Sequence, residues 1–319
     1  MRNPASTRKE DIVQTPRAAI LSASIAFMFS AFTLAASADS FSAVFVYGDS
    51  LSDNGNLFAA TGAPPAPYFD GRFSNGPVAV EQLATLLGSP LNDFAWGGAT
   101  TGIGNQADGG TQTTPGLAHL PGMLAQLAGA PVPPALIPSS LFVVWGGAND
   151  FEINGSVTTA VTNIDTIVAT LQAEGATHIL VPGLPDLGLT PEFFGDPAAT
   201  LFSDEFNEGL QATLPSGATY DDTFSLLNAI VADPAAYGLT NVTTPCFNGT
   251  TVCSDPSQYL FWDDIHPTTA ADAILAQQFD ATVTTPEPSS IMLLGTGIAG
   301  LAAGLLRKWR VAARSVTPE

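Results

Sequence analysis

Short, almost uninterrupted apolar runs predict three buried strands in the middle of the chain. They are Ala43–Tyr47 (AVFVY), Leu141–Trp145 (LFVVW) and His178–Pro182 (HILVP). A strand with one solvated face alternates apolar and polar residues, whereas a continuous apolar run is typical of a strand covered on both faces. A weaker run, Leu91–Ala95, predicts a fourth, short strand. The pattern therefore indicates a sheet with both of its faces covered.

Between and after these strands, apolar residues recur at helical spacing, which predicts amphipathic helices. The predicted helices are Pro77–Leu87, Gly116–Ala128, Ser156–Glu174, Thr200–Leu214 and Thr268–Thr282. We expect Ser156 to cap the longest of them and Gly175 to end it. Strands that alternate with helices predict an α/β sandwich with a mainly parallel sheet, and no repeat divides it. In such a sheet, sites form where the strands end.

The two ends of the chain have the composition of targeting segments. Arg17 precedes an apolar stretch from 18 to 35, and Ala36-Ser37-Ala38 follows. A basic residue, an apolar stretch and a small-x-small site predict a secretory signal peptide over 1–38, cleaved after Ala38. A membrane anchor that is retained is the alternative. The folded domain is then expected over 39–285.

The C-terminal end combines Pro286-Glu287-Pro288, an apolar run from 291 to 306 and a basic cluster from Arg307 to Arg310. A helix over about 289–306 would be roughly 27 Å long, close to the thickness of a hydrocarbon core, so we expect it to span a membrane. The segment 286–319 resembles the PEP-CTERM sorting signal of Gram-negative bacteria. The resemblance implies cleavage by an exosortase-type enzyme after transient insertion into the inner membrane, and a body at the cell surface or outside the cell. A plain tail anchor is the alternative.

Charge and cysteine content limit the functions of the body. The stretch 39–306 holds 26 acidic residues and one basic residue, Arg72, for a net charge of −25. Such a body repels phosphate backbones and anionic lipid, so we expect no nucleic-acid partner. Solubility is the ordinary explanation of this acidity, and a salty habitat or calcium binding are alternatives. Cys246 and Cys253 are the only cysteines, and in an exported protein they predict a disulfide.

Four loops carry the residues that could perform chemistry. Ser50 follows the first strand, Gly97 and Gly98 follow the weak strand, and Asn149 follows the strand Leu141–Trp145. The fourth loop contains Asp263-Asp264-Ile265-His266. A turn there would let a carboxylate reach Nδ1 of His266 and leave Nε2 free to accept a serine proton. Each motif alone is weak, and the Asp-x-x-His pair would also suit half of a metal site. His119 and His178 are interpreted as ordinary structural residues.

Taken together and in this order, the loops resemble the blocks of GDSL-type esterases and lipases, the SGNH hydrolases. The blocks read Gly48-Asp49-Ser50-Leu51, Asp93-Phe94-Ala95-Trp96-Gly97-Gly98-Ala99, Gly146-Gly147-Ala148-Asn149-Asp150 and Asp263-Asp264-Ile265-His266-Pro267. The similarity extends over about 43–282 and includes Gly71-Arg72-Phe73-Ser74-Asn75-Gly76.

The resemblance implies a three-layer α/β/α sandwich with a flavodoxin-like sheet of about five strands. It implies Ser50 as nucleophile with Asp263 and His266 completing a triad, and an oxyanion hole made by the Ser50 N–H, Gly98 and Asn149. Gly98 is chosen over Gly97, and Asp263 over Asp264 because of the motif's spacing of three. Trp96 is bulkier than the small residue often found before the glycines, which leaves the shape of the acyl pocket open.

The expected function is therefore hydrolysis of carboxylic esters through an acyl-enzyme on Ser50, without a cofactor. The substrate would be a lipid, a small ester or an acetylated polysaccharide. A deacetylase of surface polysaccharide is the alternative among enzymes. A catalytically inactive protein that binds glycans at the cell surface is the alternative from another class.

Overall fold

The computed structural model describes residues 41–284, and its centre is a sheet of five parallel strands in the order β2-β1-β3-β4-β5. The strands are β1 Val44–Gly48, β2 Leu91–Asp93, β3 Leu141–Trp145, β4 His178–Pro182 and β5 Ala218–Asp221. The four predicted strands are confirmed. The fifth, with the sequence ATYD, has exposed and half-buried positions and lies at the edge of the sheet. It lacks the apolar run that predicted the others.

Eight α-helices surround the sheet in the described range. They are α1 Asn56–Thr61, α2 Ala79–Leu86, α3 Met123–Gly129, α4 Ala148–Glu152, α5 Val157–Ala173, α6 Pro197–Thr213, α7 Thr223–Ala232 and α8 Thr269–Thr284. The predicted cap of α5 is present, because Ser156 Oγ accepts a hydrogen bond from the N–H of Thr159. Helices α1 and α4 have only six and five residues, too short to show a helical period.

The strands bury both of their faces, as their composition predicts. One face, which includes Phe45, Phe142 and Ile179, packs against α3, α5 and α6. The opposite face, which includes Val46 and Val143, packs against α2 and α8. These two apolar layers make the protein a three-layer α/β/α sandwich, which confirms the expected fold class.

The prediction of a helix over Gly116–Ala128 is wrong for most of its length. Only Met123–Gly129 is helical, and the side chain of Leu117 is 96% exposed. Asp108 explains the difference, because its carboxylate accepts hydrogen bonds from the N–H groups of Ala118 and Leu120. A side chain that binds backbone amides in this way competes with the helical hydrogen bonds. His119, in the same segment, has a left-handed φ of 56°.

Residues 233–268 between α7 and α8 contain no α-helix or sheet strand and are held in two other ways. A third apolar cluster, which includes Leu239 and Leu260, packs against α7 and α8. The predicted disulfide between Cys246 and Cys253 is present, and the N–H of Cys253 also donates to the carbonyl of Cys246 at 2.7 Å. The disulfide closes a small loop in which Phe247 and Val252 pair across an antiparallel bridge.

The predicted targeting segments, 1–38 and 286–319 with its helix over about 289–306, lie outside the described residues. Within 41–284, no helix has the length and apolar content needed to cross a membrane.

The disulfide gives a first testable prediction. The double variant Cys246→Ser/Cys253→Ser should lose about 2 kcal/mol of unfolding free energy, because an open loop of this size gains conformational entropy in the unfolded chain. Urea denaturation of both proteins measures the difference. Reductant should bring the wild type to the level of the variant and leave the variant unchanged; equal midpoints without reductant would contradict the prediction.

Candidate active site

The carboxyl ends of β1 and β3 meet at the centre of the sheet, where the strand order reverses. In parallel sheets with this order, ligands bind at that point. Ser50 follows β1 and Asn149 follows β3. A cavity of about 500 Å³ opens here. Its walls include Ser50, Leu51, Leu57, Phe73, Gly97, Gly98, Gln106, Asn149, Glu152, Leu187, Glu192, Ile265 and His266.

A chain of hydrogen bonds joins Ser50, His266 and Asp263 at one side of the cavity. The Oγ of Ser50 lies 2.8 Å from Nε2 of His266, although the two residues are 216 positions apart. Nδ1 of the same imidazole lies 2.8 Å from Oδ2 and 3.0 Å from Oδ1 of Asp263. An imidazole between a hydroxyl and a carboxylate can remove the hydroxyl proton and be stabilised while it carries the charge.

The spacing of three between Asp263 and His266 is set by the turn that contains them. Oδ1 of Asp263 accepts hydrogen bonds from the N–H groups of Ile265, at 3.0 Å, and His266, at 2.7 Å. The N–H of Trp262 donates to the carbonyl of His266 and closes the turn. The neighbouring Asp264 is exposed, and its carbonyl, not its carboxylate, accepts a hydrogen bond from Glu192. The geometry thus brings Asp263 to the imidazole.

The segment 71–76 holds this turn against the rest of the site. The ring of Phe73 lies 4.8 Å from the imidazole of His266. Ser74 donates to the carbonyl of Pro267 at 3.0 Å, and Asn75 accepts the N–H of Thr269 at 2.9 Å. The chain before α2 therefore fixes both the imidazole and the backbone that follows it.

The environment shifts the titration of both members of the pair. Burial alone would raise the pKa of Asp263, but the charge of His266 and hydrogen bonds from His266 and Ile265 hold that pKa well below its usual range. Burial lowers the pKa of His266, yet the charge of Asp263 and its hydrogen bond raise it by more, so the pKa lies above the ordinary imidazole value. The pair therefore favours an ionised carboxylate beside a basic imidazole.

Three residues that line the cavity, Ser50, Gly97 and Gly98, could offer a backbone N–H to a ligand. The N–H of Gly97 donates to Oδ2 of Asp53 at 2.7 Å, whereas the N–H groups of Gly98 and Ser50 have no acceptor among the described residues. Gly98 has a φ of 79°, and a Cβ there would lie 2.5 Å from Oδ1 of Asn105, so the position requires glycine. Its N–H is available to a ligand, and that of Gly97 is not.

The amide of Asn149 is held in one orientation by two partners. Its Nδ2 donates to the carbonyl of Ala99 at 2.9 Å, and its Oδ1 accepts from Nε2 of Gln106 at 2.7 Å. Gln106 also donates to Glu152. The second hydrogen of Nδ2 has no acceptor in the part of the chain that the structure describes.

Sequence reasoning missed the two buried carboxylates that shape these loops. Asp53 accepts the N–H groups that open α1, those of Gly55, Asn56 and Leu57, in addition to that of Gly97. Asp150 accepts the N–H and hydroxyl of Thr101 at 2.9 and 2.7 Å. Both stand inside the motifs, but the partners that join one loop to another, Gly97 for Asp53 and Thr101 for Asp150, are 44 and 49 positions away, and only the fold reveals them.

Asp49, directly before Ser50, is buried, and its pKa is raised. Oδ1 accepts the N–H of Leu51 at 3.0 Å, and Oδ2 has no hydrogen-bond partner in the described part of the chain. Burial raises the pKa of Asp49 to about 7, against the opposing effects of this hydrogen bond and the charge of His266. The carboxyl group is therefore largely protonated below neutral pH.

The remaining candidate residues lie away from the cavity. Trp96 packs against the apolar layer that contains α5 and is not part of the cavity wall, so it does not set the shape of the pocket. His178 packs its ring on Phe41, and His119 lies in the loop before α3. Among residues 41–284, no group of three or more His, Cys, Asp or Glu side chains is arranged to hold a metal ion.

Comparison with known proteins gives matches over most of the chain. The model of the GDSL-like lipase/acylhydrolase family matches residues 44–279, and that of the PEP-CTERM protein-sorting motif matches residues 284–308. A GDSL esterase/lipase of Arabidopsis thaliana is 26% identical over 314 residues, covering 74% of this chain and 87% of its own. The thermolabile hemolysin of Vibrio parahaemolyticus is 28% identical over 75% of this chain, and the match spans only 63% of its own length.

Among solved structures, a member of the lipolytic G-D-S-L family from Veillonella parvula has a TM-score of 0.43 at 16% identity, covering 75% of this chain and 94% of its own. The family match takes in the sheet and every loop of the cavity, and the sorting motif supports export to the surface of a Gram-negative cell. The chain therefore belongs to the GDSL-like lipase/acylhydrolase family of carboxylic ester hydrolases and carries a PEP-CTERM sorting motif.

Proposed function

We propose that this exported ester hydrolase acts through an acyl-enzyme on Ser50, with His266 as general base and Asp263 as the carboxylate that orients it. The observation that carries the proposal is the continuous hydrogen-bonded chain from Ser50 Oγ through the imidazole to Asp263. A serine is a weak nucleophile unless an adjacent base takes its proton. Here the base is already within hydrogen-bond distance of the hydroxyl.

In the first half of the reaction, Ser50 Oγ attacks the ester carbonyl while its proton moves to Nε2 of His266. The imidazolium is stabilised by Asp263 and then gives the proton to the departing alkoxide, which leaves as the alcohol. In the second half, His266 removes a proton from water, and the resulting hydroxide attacks the acyl group on Ser50. The proton returns to Ser50 Oγ as the acid is released.

The negative oxygen that forms in both halves would be bound by the N–H groups of Ser50 and Gly98 and the Nδ2 of Asn149. These donors are fixed before the reaction, and fixed donors stabilise developing charge without reorganisation. The occupied N–H of Gly97 supports the choice of Gly98. Gln106 supports the role of Asn149, because it holds the Oδ1 side of the amide and leaves Nδ2 as the end that can donate to the ligand.

We further propose that the substrate is an uncharged ester from a lipid, a small molecule or an acetylated polysaccharide. Glu152 and Glu192 line the cavity, and among the described residues no Lys or Arg side chain accompanies them in its wall, which disfavours an anionic substrate. The cell-surface location keeps the alternative of a polysaccharide deacetylase open. An inactive glycan-binding protein is disfavoured, because Ser50, His266 and Asp263 are all present and hydrogen-bonded.

For localisation, we propose transient anchoring through residues 289–306, with cleavage by an exosortase-type enzyme near Pro286-Glu287-Pro288. The match to the sorting motif over 284–308 supports this step.

Substitution of the nucleophile tests the central proposal. Ser50→Ala should abolish nearly all hydrolysis of p-nitrophenyl acetate and of longer p-nitrophenyl esters, because no other hydroxyl within 41–284 contacts His266 Nε2. Ser52→Ala is the matched control. Ser52 is buried two residues away, and its Oγ has no hydrogen-bond partner in the described range, so this variant should retain activity. Equal rates of hydrolysis for the wild type and Ser50→Ala would contradict the proposal.

Removal of one hydrogen-bond donor tests the proposed oxyanion hole. Asn149→Ala should lower kcat by about 10²- to 10³-fold with little change in KM, because the amide acts mainly on the charged intermediate. Steady-state kinetics on the same esters measures the effect. Asn228→Ala, on the exposed side of α7, serves as the control. A change confined to KM would instead assign Asn149 to ground-state binding.

The pH profile tests the role of the imidazole. Activity requires neutral His266 in the free enzyme, so kcat/KM should fall as the pH drops through the pKa of His266. Because Asp263 raises that pKa, the midpoint should lie above the ordinary value of about 6.5. Asp263→Asn removes the negative charge, so the midpoint should move to lower pH while the maximal rate falls by about 10⁴. A midpoint that does not move would show that the charge of Asp263 does not act on the catalytic base.

A further inference from the structure

We propose that Tyr68 is a positioning residue that extends the hydrogen-bonded chain to four members by fixing the carboxylate of Asp263. The inference rests on the proposed roles of Ser50, His266 and Asp263, and concerns a residue to which those roles assign nothing. Tyr68 stands in the loop between α1 and α2, 195 positions before Asp263.

The contact is short and involves the oxygen that faces the imidazole. The hydroxyl of Tyr68 donates to Oδ2 of Asp263 at 2.7 Å, and the same oxygen lies 2.8 Å from Nδ1 of His266. The other oxygen, Oδ1, accepts the backbone N–H groups of Ile265 and His266. The backbone of the turn therefore holds only Oδ1, which lies 3.0 Å from Nδ1, and Tyr68 holds Oδ2, the oxygen closer to Nδ1.

Aromatic packing keeps the Tyr68 hydroxyl in place. Its ring meets those of Phe73, Phe247 and Trp262 edge-on, with centroids 6.1, 5.8 and 6.2 Å away. Phe73 also packs on the imidazole of His266. Edge-on arrangements of this kind are favourable and directional, so the phenol has little freedom to leave the carboxylate.

The disulfide loop closes this aromatic cluster from the outside. Phe247 follows Cys246 directly, stacks on Trp262 at 5.8 Å and donates its N–H to the carbonyl of Trp262. Trp262 in turn donates its N–H to the carbonyl of His266. The packing that places Tyr68 is thus continuous with the turn that carries the catalytic pair.

The hydrogen bond from Tyr68 should shift the pKa values of Asp263 and His266 in one direction. Burial and the neighbouring charge of Asp263 raise the pKa of Tyr68, so the phenol remains protonated and donates throughout the working range of an imidazole base. A donor on Oδ2 withdraws electron density from the oxygen that stabilises the imidazolium. Tyr68 therefore makes Asp263 less basic and keeps the pKa of His266 lower than Asp263 alone would set it, while holding Oδ2 beside the imidazole.

The test compares Tyr68→Phe with the wild type. This substitution removes one oxygen and keeps the ring. We expect kcat on p-nitrophenyl acetate to fall about tenfold with KM unchanged, because the base is less well oriented. We also expect the acid limb of kcat/KM to move to higher pH by about half a unit to one unit. Without the Tyr68 hydroxyl, the negative charge of Asp263 is no longer partly neutralised by a hydrogen bond and raises the pKa of His266 further.

Other acidic groups face the same site and are unchanged in the variant, so they affect both proteins alike. They are Asp49, Glu152, Glu192 and Asp264.

Tyr220→Phe is the matched control. Tyr220 lies on the edge strand β5 and makes no hydrogen bond or ring contact with Ser50, Asp263 or His266 in the described part of the chain. It should retain the kcat and pH profile of the wild type. If Tyr68→Phe also keeps the kcat and pH profile of the wild type and changes only the unfolding midpoint, Tyr68 contributes packing alone and the proposal fails.

A double-mutant cycle separates this proposal from the one on which it rests. If Tyr68 acts through Asp263, then Tyr68→Phe should have almost no further effect on kcat in an Asp263→Asn background. Additive losses would overturn the proposal. Failure of the triad itself would be visible separately, as equal activity of the wild type and Ser50→Ala. Should Tyr68→Phe fold poorly, Phe247→Leu is the second variant: it retains the hydroxyl but loosens the ring, and we expect the same upward shift of the acid limb to a smaller extent.

Discussion

The site depends on one constraint: the turn at 261–267 must be held against the end of β1, so that an imidazole meets a hydroxyl 216 residues away. The sheet supplies only half of this, because it fixes Ser50 but not the turn. The other half comes from segment 71–76, where Phe73 packs on the imidazole and Ser74 and Asn75 bind the backbone beyond it. The two segments are closely packed: a Cβ added to Gly76 would lie only 2.7 Å from Oγ1 of Thr269. This close packing leaves segment 71–76 little room to move relative to the start of α8.

The acidity of the body gives its carboxylates few cations to pair with. Arg72 is the only Lys or Arg between residues 41 and 284, and its guanidinium is engaged with Glu81 at 2.7 Å. Buried carboxylates accept hydrogen bonds from backbone N–H groups and neutral side chains instead. Asp53 accepts four of them, and burial still raises its pKa. These groups connect the loops of the site without Lys or Arg, and this leaves the imidazole of His266 as the main positive charge that the described part of the cavity can develop.

The sequence predicted what depends on local pattern and missed what depends on long-range partners. Strands buried on both faces have continuous apolar runs, which strands with a solvated face lack, so β1, β3 and β4 could be predicted. The edge strand β5 was not, because its half-exposed residues carry no such signal. The leucines from 117 to 127 suit a helix, but the carboxylate of Asp108 binds the backbone amides of that segment, and only the folded loop brings it there.

The same distinction applies inside the site. Asp263 and His266 are three residues apart, so a local turn suffices to join them and the sequence could predict the pair. The choice between Gly97 and Gly98 could not be derived from the doublet, since it turns on whether Asp53 occupies one N–H. Tyr68 carried no signal at all, because nothing around a tyrosine in a proline-rich loop indicates a carboxylate 195 positions away.

The position of the sorting motif agrees with a body that functions after it is removed. Helix α8 packs against α2 on the sheet, and its described residues reach Thr284, where the match to the motif begins. Ser74 donates to Asp272 of α8 at 3.0 Å, so the helix helps to support the turn at 261–267. Every residue assigned a role in the reaction precedes α8. Cleavage near Pro286 would therefore leave the described residues of α8, the turn and the cavity intact, and the disulfide beside the turn suits the oxidising environment outside the cell.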